Sequence, residues 1–147
     1  MRTIALLWLF AAPGAEPFYF GAWKIESAVV APWWVEKAPP DPVSVKALTG
    51  RTINFSAKSI TAPKLLACAS PRYAVKEYPA DYLFQGGFGE MNRRDRSVDP
   101  VKIAASVGFR GSKWKTLETG CDFDFHFIDE RTAAFALDNY IYRLKKQ

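Results

Sequence analysis

The chain has one histidine and two cysteines, and nothing after Ala15 approaches the run of about 18 apolar residues that would span a bilayer. Neither cysteine stands in a Cys-x-x-Cys pair, which removes the usual thiolate metal and redox motifs. A Gly-x-Ser-x-Gly elbow is absent, so the sequence does not support nucleophilic hydrolysis. Gly86-Gly87-Phe88-Gly89 lacks the Lys-Ser/Thr of a phosphate loop and reads as a hairpin or bulge. There is no internal repeat or low-complexity tract. Nor is the charge strongly one-sided. The net charge is +5, and only Arg93-Arg94-Asp95-Arg96 is dense. Nucleic acid calls for a basic stripe with stacking aromatics, so this cluster reads as a solvated loop tip; an acidic surface or glycan partner stays open.

What is present fits an exported domain. Met1-Arg2-Thr3, an apolar run from Ile4 to Phe10 and small residues from Ala11 to Ala15 follow the order of a secretory leader. Residues 1–15 are therefore expected to be a signal peptide, with cutting before Glu16, and residues 16–147 a single domain large enough to bury its own core. The expected location is the periplasm or the secreted fraction. Cys68 and Cys121 suit that compartment as a disulfide, worth about 4 kcal/mol on a chain-entropy model; two buried thiols are the alternative.

Alternation dominates the rest. In Phe18-Tyr19-Phe20-Gly21-Ala22-Trp23-Lys24-Ile25 and onward, Trp23, Ile25, Ser27 and Val29 share one face and Lys24 and Glu26 the other. Prolines from Pro32 to Pro42 impose a long loop, whose Trp33 and Trp34 form either an exposed aromatic lip or, the preferred reading, a lid over one end of the domain. Strands are expected over 52–57, at 59–61, over 65–69 with Leu66 and Cys68 on one face, over 73–78, and at Tyr82–Gln85 up to Gly86-Gly87. Residues 89–98 read as irregular. Asp99-Pro100 starts one short helix, with Ile103 and Val107 on its apolar edge and Gly108 as its left-handed cap. Residues 114–119, 122–128 and 133–144 read as three antiparallel strands, with Cys121, Phe123, Phe125 and Phe127 on the buried face of the middle one.

Gly21-Ala22-Trp23 resembles the Gly-x-Trp signature that opens the first strand of lipocalins and related calycin barrels. Asp138-Asn139-Tyr140-Ile141-Tyr142-Arg143 is similar to their closing strand. The resemblance implies that Trp23 plugs one end of a barrel and that Arg143 packs over it, making Gly21, Trp23 and Arg143 the barrel-closing set. The chain lacks the helix pair of fatty-acid-binding proteins and the long late helix of true lipocalins. The expected fold is mainly β: a small antiparallel up-and-down barrel of about eight strands with one short α-helix.

The resemblance, with the export signal and 15% aromatic content, implies a non-enzymatic binding protein for a small apolar ligand, with Trp33, Trp34, Phe84, Trp114 and Tyr140 as candidate ligand-binding aromatics and no cofactor. The alternative is an exported protein inhibitor of a hydrolase such as a lysozyme or protease, making contact through the loop 35–43 or the segment 91–98. Asp122, Asp124 and His126 share a strand face, with neighbours about 7 Å apart, as metal ligands or an acid–base pair would. Alternation opposite a phenylalanine row already accounts for them, so no metal is assigned.

Overall fold

The computed structural model describes residues 14–147, so the leader expected over residues 1–15 lies, except for its last two positions, outside the described residues. The body is one antiparallel sheet of eight strands: β1 (Gly21–Val30), β2 (Thr52–Phe55), β3 (Ile60–Thr61), β4 (Ala74–Tyr78), β5 (Trp114–Glu118), β6 (Phe125–Asp129), β7 (Thr132–Leu137) and β8 (Tyr140–Lys146). They lie in the order β3-β2-β1-β8-β7-β6-β5-β4. That is an up-and-down meander in which the first and last strands join at the centre and the break falls between β3 and β4. The sheet curls into a half-barrel. The fold class is the expected one, and Trp23 does lie beside the final strand, opposite Lys146.

Side chains rather than ladder bonds span the break. Cys68 pairs with Ile60 through one isolated bridge, the only strand pairing made by the stretch expected as a strand over 65–69. Its disulfide to Cys121, in the β5–β6 loop, holds the two Cα atoms 6.3 Å apart. Just before β4, the Tyr73 hydroxyl donates to the Ser56 carbonyl at 2.9 Å.

Two local features correct the expected strands. The β1–β8 register shifts between Ile25 and Ser27, a bulge that uses one extra residue and inverts the parity beyond it. Trp23 and Ile25 remain inside; Ser27 and Val29, expected on the same face, turn outward, and Ala28 packs inward in their place. The strand expected over 133–144 is a hairpin, β7 and β8, because Asp138 and Asn139 both take positive φ, 50° and 63°. Those are the angles of a two-residue turn that matches strand twist.

Among the described residues there are three α-helices rather than one: α1 (Val43–Leu48), α2 (Leu83–Arg94) and α3 (Pro100–Ser106). α3 is built as its sequence implies. The Asp99 carboxylate accepts from the Val101 amide at 3.0 Å, and Gly108 follows the helix at φ 99°. The strand expected at Tyr82–Gln85 is replaced by a non-helical turn at Phe84, Gln85 and Gly86 near the start of α2, and the irregular stretch after it by the helix proper. A 3-10 turn, Ala80–Tyr82, leads into α2. Its glycines are there for contact: a Cβ at Gly89 would stand 2.7 Å from the Asp81 carbonyl oxygen, and one at Gly87 3.0 Å from the Trp33 indole.

The inner face of the curl is filled. Trp23, Phe55, Phe125, Phe135 and Tyr142 are essentially without solvent contact. Their rings interlock: Phe55 meets Phe125 edge-on at 4.9 Å, Phe125 meets Phe135 at 5.6 Å and Phe135 stacks on Tyr142 at 4.9 Å. Each such side chain contributes about 1.5–3 kcal/mol through burial. On the outer face, Leu83, Phe84 and Phe88 of α2, Ala104 of α3 and Phe109 cover Trp114, Ala134 and Ile141 as a second core.

Candidate functional site

The helical cover leaves concavities on the outer face, and the most apolar is a groove of about 460 Å³ beside α2. Trp33, Val35, Phe84, Gly87, Met91 and Val98 line it, and Glu90, Arg94 and Asp95 form its polar rim. The indole of Trp33 lies against Gly87, tilts over Phe84 and Phe88 at 6.3 and 6.1 Å and donates Nε1–H to Asn139 Oδ1 at 3.2 Å. Val35 is 90% exposed. On the rim, Glu90 accepts from Arg93 and Arg94 at once, and both guanidinium groups hold its carboxyl below the ordinary range.

Five aromatics were expected to bind ligand, and Trp33 and Phe84 meet in this groove. Trp34 turns its indole N–H to the Ala38 carbonyl at 2.8 Å. Trp114 is buried against Phe109, ring centres 5.8 Å apart. Tyr140 belongs to the inner core, its hydroxyl on the Pro40 carbonyl at 2.7 Å. The Trp33–Trp34 loop therefore covers α2 on the outside rather than an open end of the barrel.

Among the barrel-closing residues, Gly21 opens β1 at φ 104° and Trp23 is fully buried, its indole N–H on the Tyr19 carbonyl at 2.9 Å. The cation over Trp23 is Lys146, 5.8 Å from the ring centre, not Arg143. Arg143 pairs with Ser27 beyond the bulge and lies outside, against Gly108. Alternation within β8 explains the exchange: Tyr140, Tyr142, Leu144 and Lys146 share the inner face with Trp23, and Arg143 falls on the outer one.

The Asp122, Asp124, His126 row does not hold together. Asp122 is exposed in the β5–β6 loop, whereas His126 is buried beneath α2. Its Nε2 accepts from the Phe84 amide at 3.0 Å, and its Nδ1 lies 2.8 Å from Thr116 Oγ1. With both nitrogens occupied, the imidazole has no lone pair for a metal. Burial pushes its pKa down to about 4 and keeps it neutral. Among the described residues, no group of three or more His, Cys, Asp or Glu side chains converges on a metal position.

The Phe84 amide that His126 holds begins a left-handed turn: Phe84, Gln85 and Gly86 have φ of 53°, 54° and 78°. Two consecutive non-glycine residues there cost about 1–2 kcal/mol each, and such strain collects at functional sites. Phe84 lines the apolar groove, while Gln85 and Gly86 line a separate, polar cleft. Sequence periodicity carried no sign of Met91, Gly87 or Thr116 as lining residues, because each depends on how α2 docks.

No protein-family model, no curated protein and no solved structure matches the chain.

Proposed function

We propose that the chain is an exported, non-enzymatic binding protein that takes a small apolar ligand in the groove between the Trp33 loop and α2. The observation that carries this reading is the groove itself: a concavity of about 460 Å³ walled by apolar side chains, of a size typical for small-molecule sites, with Val35 exposed at its edge. The filled inner face moves the ligand from the interior to the exterior. Export is supported by the Cys68–Cys121 disulfide, a bond that persists in oxidising compartments. Among the described residues, no helix is long and apolar enough to cross a membrane. Kinship with lipocalins and calycins belongs to the same proposal. It is supported by Gly21-Ala22-Trp23 at the start of β1 and by a cation from the last strand over Trp23, with Lys146 in that role.

The test is titration with the fluorescent apolar probe N-phenyl-1-naphthylamine. Saturable binding is expected, weakened about tenfold by Met91→Gln, further by Val35→Ser, and unchanged by Phe135→Leu in the inner core. Binding that follows Phe135 and ignores Met91 and Val35 would return the ligand to the interior and overturn the proposal.

One observation favours a second reading, inhibition of a hydrolase. The proline-rich loop, through Val35, and the segment 91–98, through Met91, Arg94, Asp95 and Val98, meet at this one groove. Lysozyme and secreted-protease assays separate the two readings: full enzyme activity at excess protein dismisses the inhibitor.

A further inference from the structure

On the other side of the left-handed turn, a cleft of about 500 Å³ opens over the outer face of β4, β5 and β6. Strand register builds it. Thr116 stands directly opposite His126, and the same register continued toward the loop sets Glu118 across from Asp124. Tyr78 ends β4 and Tyr82 lies just before α2, their rings stacked at 5.8 Å and 19°.

The floor carries an unspent donor. Because the Phe84 amide donates to His126 Nε2, that nitrogen is the acceptor, and in a neutral imidazole the hydrogen then sits on Nδ1. Nδ1–H donates to Thr116 Oγ1. The hydroxyl hydrogen of Thr116 therefore has no acceptor among the described residues, although Thr116 is 1% exposed and lines the cleft. A buried donor without an acceptor is destabilising, so a ligand that supplies one is favoured. One wall carries the opposite need. Among the described residues Asp124 accepts only from the Thr119 amide, at 3.3 Å on Oδ1, and its Oδ2 has no partner; burial raises its pKa. Glu118 is occupied by Tyr78 and Lys76. The cleft is also lined by the stacked rings of Tyr78 and Tyr82, of which Tyr82 is 63% exposed.

Donor, acceptor and aromatic plate together select the ligand chemistry. A cation suits Asp124 and the tyrosines but gives Thr116 nothing to donate to. An anion suits Thr116 but faces Asp124 and Glu118, while Arg93 is already held by Glu90. A hydrocarbon uses only the ring. A neutral sugar has hydroxyls that both donate and accept and a C–H face that packs on an aromatic ring, so it meets all three requirements. We infer that the cleft between β4–β6 and the Gln85 turn is a binding site for a neutral saccharide, separate from the apolar groove.

The test is ligand-observed and chemical-shift NMR with N-acetylglucosamine, its β-1,4-linked tetramer, cellobiose and maltose, with spermidine as the cationic control. The expected result is saturable binding of at least one sugar, weakened tenfold or more by Tyr82→Ala and by Asp124→Ala, both at exposed or half-exposed positions. Thr116→Val should lower affinity and Thr116→Ser restore it, which separates the hydroxyl from mere packing. Three results would each overturn the inference: no saturable sugar binding, sugar binding indifferent to Tyr82 and Asp124, or spermidine binding that follows those residues in place of sugar. The cleft and the groove share no lining side chain, so each binding activity stands or falls by itself.

Discussion

The two faces of β6 are both buried, yet they are built on different physics. Inward, Phe125 and Phe127 are buried among aromatic rings, where attraction is non-directional and neighbouring hydrocarbon can partly relax. Outward, His126 is just as buried but spends both ring nitrogens on defined partners, Phe84 and Thr116. Hydrogen bonds demand geometry, so the outer face fixes a particular and strained backbone shape at residues 84–86. The inner face is therefore expected to stabilise the domain and the outer face to give it selectivity.

That contrast is open to test, most strongly at Phe125. It is 1% exposed and contacts Phe55 and Phe135 edge-on, so Phe125→Ala is expected to lose about 3–5 kcal/mol. Urea denaturation measures this directly. A loss under about 1 kcal/mol would mean that the interior is loosely packed, and the contrast between faces would fail.

The next effect is on the outer side and appears in the pH profile. His126 titrates near 4 in the folded chain, below its ordinary 6.5, because it is buried. A histidine with a depressed folded pKa adds stability that is complete above about 6.5 and is lost as pH falls from there toward 4, where the loss levels off; the size is about 3 kcal/mol. Asp124 opposes this at the acid end. Its carboxyl is raised by burial, so protonation favours the folded form as pH falls. Unfolding free energy measured between pH 7 and 4 should therefore fall in the native protein and stay flatter in His126→Leu. Equal slopes in the two would show that His126 is not held neutral by the fold.

These predictions depend on features that differ in how readable they were. Strands β2, β4, β5 and β6 and helix α3 follow from alternation and from Asp99-Pro100, signals confined to a few adjacent residues. The bulge after Ile25 did not, because nothing in Glu26 or Ser27 announces an extra residue; only pairing with Arg143 and Leu144 creates it. It cost the placement of Ser27 and Val29 on the inner face, whereas Arg143 is kept from Trp23 by simple alternation with the buried Tyr142 and Leu144. Asp138-Asn139 hides its turn because it lacks the glycine that usually marks one. α2 was the largest miss. Gly86, Gly87 and Gly89 read as breakers, yet Gly87 and Gly89 are required by the Trp33 ring and the Asp81 carbonyl, contacts made only after folding. Both concavities border α2, so the site was less legible than the sheet. Of the candidate aromatics, only Trp33 and Phe84 reach the groove.

The smallest effect is the most discriminating, and it concerns Gln85. Its φ of 54° is left-handed and its side chain exposed, so Gln85→Gly relieves about 1–2 kcal/mol of backbone strain. Glycine returns part of this, about 0.5–1 kcal/mol, through the greater freedom of its unfolded chain. A net gain of about 1 kcal/mol or less in urea denaturation is expected. If the turn existed only to connect two helical segments, the variant would be more stable and otherwise unaltered. Gln85 also lines the polar cleft, where its amide is one more polar group for a hydroxyl. The expected outcome is therefore a protein that gains stability and loses sugar affinity together, because the outer face retains a strained residue for what it binds. A gain in stability with affinity intact would place Gln85 with the connectors and leave Thr116, Asp124 and Tyr82 to hold the ligand.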